Sequence, residues 1–148
     1  MTAVTFDSTV ASPVRGAHSG RGRIWTGRIL SGLVTAFLLF DVTLKLLHPP
    51  MVIEGTAKLG YPESSILVTA ILLLGSTLLY VLPRTAPLGA VLLTGYLGGA
   101  VATHLRVGDP LWSHIVFPVY VGALAWIGLV LRRPWLVSLL ASGPRHPR

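Results

Sequence analysis

The sequence predicts an all-α integral membrane protein, a four-helix bundle with a short interfacial helix in its first outer loop, and three observations predict it. Of its 148 residues 52% are hydrophobic and 11% charged, where soluble domains carry about 25% charged residues. The apolar residues fall into four runs, each near the roughly 20 residues that a helix needs to cross a bilayer core. Helix breakers and charges separate the runs: Pro83-Arg84, Gly108-Asp109-Pro110 and Arg132-Arg133-Pro134. An ordinary soluble enzyme is excluded. The chain has no cysteine, which also excludes disulfides, thiolate metal sites and CxxC redox chemistry.

Residues 1–22 are rich in Ser, Thr, Gly and Arg without apolar periodicity, and they are expected to form a disordered cytoplasmic tail. The first run, about 24–47, lacks a small-x-small cleavage pattern after it and reads as an uncleaved span. The connection that follows is too long for a simple turn. Within it Met51, Val52, Ile53 and Leu59 stand beside Glu54 and Lys58, an i, i+4 pair, which predicts a short interfacial or re-entrant helix. Ser64 or Ser65 is a plausible cap for the second span, about 65–82. The third, about 87–105, follows after a tight turn, so these two spans form a helical hairpin. The fourth covers about 111–131, with Pro118 as a potential kink, and residues 134–148 are expected to form a basic cytoplasmic tail.

The formal net charge of +7 looks at first like a nucleic-acid signal. Its placement says otherwise. Arg15, Arg21 and Arg23 precede the first span and Arg132, Arg133, Arg145 and Arg148 follow the last, whereas the two remaining loops balance Lys58 against Glu54 and Glu63, and Arg106 against Asp109. That asymmetry puts both termini in the cytoplasm, which an even number of spans also requires. Trp25, Tyr80 and Trp135 then fall at inner boundaries, Tyr61 and Trp112 at outer ones. No motif supports nucleic-acid binding.

The third span carries small residues at Gly95, Gly99 and Thr103, with Gly98 beside them. Such spacing lets another helix approach closely, either inside the bundle or across a homo-oligomer face. Gly27 and Ser31 repeat it in shorter form on the first span.

Charged groups inside a span are costly unless they face protein or water. Asp41, Lys45 and His48 stand at i, i+4 and i+7 and share one helical face. In the orientation above, the outer end of the third span delivers His104 and Arg106, and the start of the fourth delivers His114. A polar pocket at the outer leaflet is therefore expected, with the interfacial helix over it. Several uses are open: a structural network, a binding or proton-exchange site for a quinone-like amphipathic molecule, a metal site, or an ion pathway. No HxxH or HxxxH spacing ties the histidines together, so no metal ligands are assigned.

The runs Leu38-Leu39-Phe40-Asp41-Val42-Thr43-Leu44-Lys45, Leu59-Gly60-Tyr61-Pro62-Glu63-Ser64, Leu79-Tyr80-Val81-Leu82-Pro83-Arg84-Thr85 and Leu93-Thr94-Gly95-Tyr96-Leu97-Gly98-Gly99-Ala100-Val101-Ala102-Thr103-His104-Leu105-Arg106 resemble the DoxX-like family of small bacterial membrane proteins. The positions that match its pattern are Asp41, Lys45, Gly60, Pro62, Tyr96, Gly98, Gly99, His104 and Arg106. The resemblance implies a four-helix inner-membrane protein linked to respiratory or oxidative-stress chemistry, since the wider superfamily is similar to small subunits of quinone-dependent oxidoreductases. The expected function is an accessory or binding subunit that holds a quinone-like molecule for a membrane or peripheral oxidoreductase partner. Quinone is the one cofactor candidate. The candidate pocket comprises Asp41, Lys45, His48, Tyr96, His104, Arg106 and His114, with no catalytic residue assigned. In it Asp41 and His104 would exchange protons, while Lys45 and Arg106 would hold Asp41 ionised or orient a carbonyl. The alternatives are a self-contained membrane isomerase or hydrolase of a lipophilic substrate, or a small transporter.

Overall fold

The computed structural model describes residues 17–141, which form α1 (Ala17–Leu47), α2 (Pro50–Lys58), α3 (Ser64–Val81), α4 (Ala86–Val107), a π-helical turn at Leu111–Ile115, α5 (Phe117–Arg132) and α6 (Trp135–Ala141). Four stretches are long and apolar enough to cross a membrane: Arg21–Leu47, Ser64–Val81, Ala86–Val107 and Leu111–Arg132. The chain is thus an all-α, multi-pass membrane protein. Large apolar side chains such as Ile29, Leu33, Phe40, Leu67, Ile71 and Leu92 point outward, as they must where the surrounding solvent is lipid.

Four antiparallel spans leave both ends of the bundle on one face, called here the near face. The far face carries α2 and the connection between α4 and α5. α1 packs on α5 and α3, and α4 packs on α3 and α5. Their shared core is built from Val34, Leu38, Val42, Leu73, Leu93, Val121 and Leu129.

Helix extends into both segments read as tails. Among the described residues α1 is helical from Ala17 on, since a helix already nucleated by an apolar span propagates cheaply into residues 17–22, which offer no proline. α6 follows Pro134, and its Leu136 packs on the core. Residues 1–16 and 142–148 lie outside the described ones. Pro118 does not kink the fourth span. It sits in the first turn of α5, where its missing N–H costs nothing, and the irregularity lies upstream in the π-helical turn. Neither Ser64 nor Ser65 caps α3: the Ser65 hydroxyl donates to the Pro62 carbonyl at 2.7 Å.

The near end is locked by backbone approach. A methyl group at Gly89 would lie 2.5 Å from Tyr80 Cα, so α3 and α4 touch there without side chains between them. Gly128 brings α5 close to α1, since its methyl would meet Ser31 Oγ at 2.6 Å and the Ser31 backbone nitrogen at 3.1 Å. Tyr80, read from sequence as an interfacial aromatic, is 0% exposed. Its hydroxyl donates to the Ala125 carbonyl at 2.8 Å and pairs with Ser31 Oγ at 2.9 Å, joining three spans. Arg132 closes the same corner, its guanidinium 4.7 Å from the Tyr80 ring and donating to the Tyr80 carbonyl at 3.1 Å.

Of Gly95, Gly98, Gly99 and Thr103, expected to admit another helix inside the bundle or across a homo-oligomer face, Thr103 bonds Tyr61, while the three glycines touch no other helix of this chain. A methyl group at Gly95, Gly98 or Gly99 would meet nothing within 4 Å. Within the chain, close packing falls to Gly89, Gly27 and Gly128 instead, all toward the near end of their spans.

Candidate functional site

Toward the far face α3 and α4 stand apart, and a cavity of about 740 Å³ occupies the gap. One wall is the α3 face of Ser65, Val68, Thr69 and Leu72, and the other the α4 face of Gly95, Tyr96, Gly99, Ala100 and Thr103. Val68, Leu72, Gly95 and Gly99 are exposed, so the cavity opens sideways into the lipid. The glycine stripe gives this opening its width. Thr56 and Leu59 cover the far end from α2 and the residue after it.

Polar chemistry gathers at that covered end. Lys45 reaches the cavity from α1 and donates to both Asp41 oxygens, at 2.6 and 2.5 Å, as their i, i+4 spacing predicts. His104 lines the cavity from α4. Its Nδ1 lies 2.6 Å from Asp109 Oδ2, a contact made when Gly108, at φ 74°, turns the chain back at the end of α4. His114, in the π-helical turn, tilts against the His104 ring with centroids 5.4 Å apart. Tyr61 OH pairs with Thr103 Oγ1 at 3.1 Å and ties the α2–α3 connection to α4.

Of the residues expected in the pocket, Lys45, Tyr96 and His104 line it. Asp41 joins through Lys45, and Tyr96 stands within electrostatic reach of Asp41. His114 joins through His104. Two expectations are corrected. His48 does not continue the Asp41–Lys45 face: α1 ends at Leu47, His48 takes φ 49°, and its Nδ1 lies 3.1 Å from the Leu46 carbonyl. Pro49-Pro50 stops the helix there. Arg106 turns outward, donating to the Leu59 carbonyl at 2.5 Å with its guanidinium 5.9 Å from the Tyr61 ring, so it fastens α2 and makes no ion pair with Asp41.

Sequence reading missed Thr56, Ser65, Thr69 and Asp109 as site residues. Ser65 and Thr69 did carry a signal, two hydroxyls one helical turn apart in the far half of a largely apolar span. Asp109 could have been found from Gly108, which predicts a chain reversal that returns the next residue to the helix it has just left. Among the described residues no three or more potential metal ligands come together.

A second, more apolar groove of about 350 Å³ lies between α4 and α5, walled by Leu97, Gly98, Val101, Val119, Gly122 and Trp126. It holds no ionisable side chain.

Comparison with known proteins gives one finding. The chain belongs to the DoxX-like family, whose model matches residues 29–128 and so spans α1 to α5 and every cavity residue named above. No curated protein and no solved structure matches it.

Proposed function

From family membership and the lateral cavity, we propose that this small membrane protein is a binding subunit for a quinone-like lipophilic molecule, which it presents to a membrane or peripheral oxidoreductase in redox or oxidative-stress chemistry. The proposal places it in the bacterial cytoplasmic membrane with both termini on the cytoplasmic side, following the basic residues at its ends. The cavity carries the reading. Its volume of about 740 Å³ lies within the roughly 300–1,000 Å³ usual for small-molecule sites. It opens to lipid along Val68, Leu72, Gly95 and Gly99, and it is polar only at the end held by Lys45 and His104. A ligand with an apolar tail and a compact hydrogen-bonding head matches that division.

The charge balance narrows the head. Lys45 is neutralised by Asp41 and His104 is paired with Asp109, so the cavity presents no free cation to a phosphate headgroup and favours an uncharged one. His104 touches the ligand space and is the group placed to exchange a proton with a quinone oxygen. Asp41 acts through Lys45.

The test is binding of a decyl-tailed benzoquinone to the full chain in phosphatidylethanolamine/phosphatidylglycerol nanodiscs, with native mass spectrometry of what co-purifies. Gly99→Leu projects a side chain into the cavity from a position where nothing stands within 4 Å. The expected result is saturable binding by the wild type and at least a tenfold loss in Gly99→Leu with unchanged helicity. No wild-type binding, or equal binding by the variant, overturns the proposal.

A further inference from the structure

The polar end of the cavity is rich in side chains that can donate a hydrogen bond, and some of their protons are already committed. Lys45 directs its ammonium at both oxygens of Asp41. Ser65 Oγ donates to the Pro62 carbonyl, and Thr69 Oγ1 donates to the Ser65 and Ile66 carbonyls. Between Tyr61 and Thr103 one hydroxyl donates to the other. Ser65 and Thr69 thus offer a ligand only lone pairs, whereas the third Lys45 proton and the Thr56, Ser64 and Tyr96 hydroxyls stay able to donate.

His104 is the oriented member of that set. An ionised carboxylate can only accept, so the 2.6 Å contact with Asp109 Oδ2 requires the proton of the neutral imidazole to sit on Nδ1. Its other nitrogen, Nε2, is then an acceptor. The other groups around this end are Lys45 with its partner Asp41, Tyr61, Tyr96 and His114, and none of them hydrogen-bonds the His104 ring.

We infer that Asp109 is a positioning residue that fixes the His104 tautomer, so that Nε2 gives a lipophile whose head carries a hydroxyl a hydrogen bond that one whose head carries only carbonyls cannot make. The inference rests on reading the cavity as a lipophile site. Within the quinone-like class it names the reduced, hydroxyl-bearing form as the one held.

The test uses a matched pair of probes, a decyl-tailed benzoquinone and its hydroquinone, the latter kept reduced under anaerobic conditions. Both are titrated against the full chain in nanodiscs at a pH where the imidazole is neutral. The wild type is expected to bind the hydroquinone at least fivefold more tightly. In Asp109→Ala the imidazole is free to carry its proton on either nitrogen, and the ratio should fall to within twofold of one. Asp109→Asn supplies a second variant should the alanine variant fail to fold, because its amide can donate to Nδ1 as readily as accept from it.

A purely structural role for Asp109 would weaken both probes together and leave the ratio unchanged, which overturns the inference. The ¹⁵N shifts of labelled histidine, assigned by comparison with His104→Ala, give an independent readout: wild-type His104 must carry its proton on Nδ1, and a proton on Nε2 overturns the inference. Equal wild-type affinity for the two probes sinks this inference alone. Failure of the wild type to bind either probe sinks the lipophile reading and the inference with it.

Discussion

Replacing Gly89 with alanine would set a methyl group 2.5 Å from Tyr80 Cα, 2.6 Å from the Leu79 carbonyl carbon, and nearer still to Tyr80 N. Carbon atoms attract best at about 3.5–4.0 Å, so the two helix backbones must part by about 1 Å to admit it. All three atoms are backbone, and no rotamer change relieves the clash. Overpacking of this kind costs about 1–3 kcal/mol, against roughly 1 kcal/mol regained from the better helix propensity of alanine. The expected net loss is up to about 2 kcal/mol. Gly99→Ala is the control: its methyl meets nothing within 4 Å, so only the propensity gain operates and stability should be unchanged or higher. Reversible unfolding of the chain in mixed micelles, followed by circular dichroism against SDS mole fraction, measures both. If Gly99→Ala destabilises as much as Gly89→Ala, the assignment of contact to Gly89 and of open space to Gly99 is wrong.

Three other perturbations separate the parts of the structure. Tyr80→Phe removes two buried hydrogen bonds that join α1, α3 and α5; at the roughly 0.6 kcal/mol typical of such bonds in membranes, the same unfolding assay should show a loss of about 1–2 kcal/mol. Asp41→Asn leaves the Lys45 ammonium without its counter-charge, and since removing one partner of a pair costs more than removing both, Asp41→Asn with Lys45→Met should be more stable than Asp41→Asn alone; a double variant no better than the single refutes this. Arg106→Ala frees the Leu59 carbonyl and the Tyr61 ring, so amide exchange across α2 and the α2–α3 connection should quicken at least fivefold while the middle of α3 is unaffected.

The spans were legible in the sequence because hydropathy and breakers act locally: each helix must satisfy its own backbone in lipid, wherever its neighbours stand. The Asp41–Lys45 pair was legible for the same reason, being one turn of one helix. Packing was not. Gly95 and Gly99 have the spacing of a contact stripe, yet spacing marks only a face, and whether that face meets a helix or a gap depends on where the spans cross. Arg106 illustrates a second limit. Its acceptor is the carbonyl of Leu59, 47 residues away in the chain, and backbone acceptors carry no side-chain signature. Tyr80 shows a third, since an amphipathic ring near a span end suits the interface and a buried polar corner equally well.

The tight end and the open end of the α3–α4 hairpin are one device. Two helices joined by a short turn and touching through Gly89 cannot stay in contact along their whole length unless they are parallel. At an ordinary bundle crossing angle of about 20°, the roughly 15 Å of helix between Gly89 and Gly99 carries one axis about 5 Å sideways past the other, which uncovers the glycine face and opens the gap beside it. The gap must then be finished at the far face by something other than the two helices, and α2 with the Tyr61–Thr103 and Arg106–Leu59 contacts does so. This coupling yields a result that a preformed, independent pocket would not give. Gly89→Ala, although remote from every polar cavity residue, pushes apart the pivot on which the cavity width depends, and it should therefore alter affinity for the benzoquinone probe by more than Tyr80→Phe, which loosens the same corner without a steric wedge. Equal effects of the two variants at matched stability would show that the cavity is held open by α2 alone.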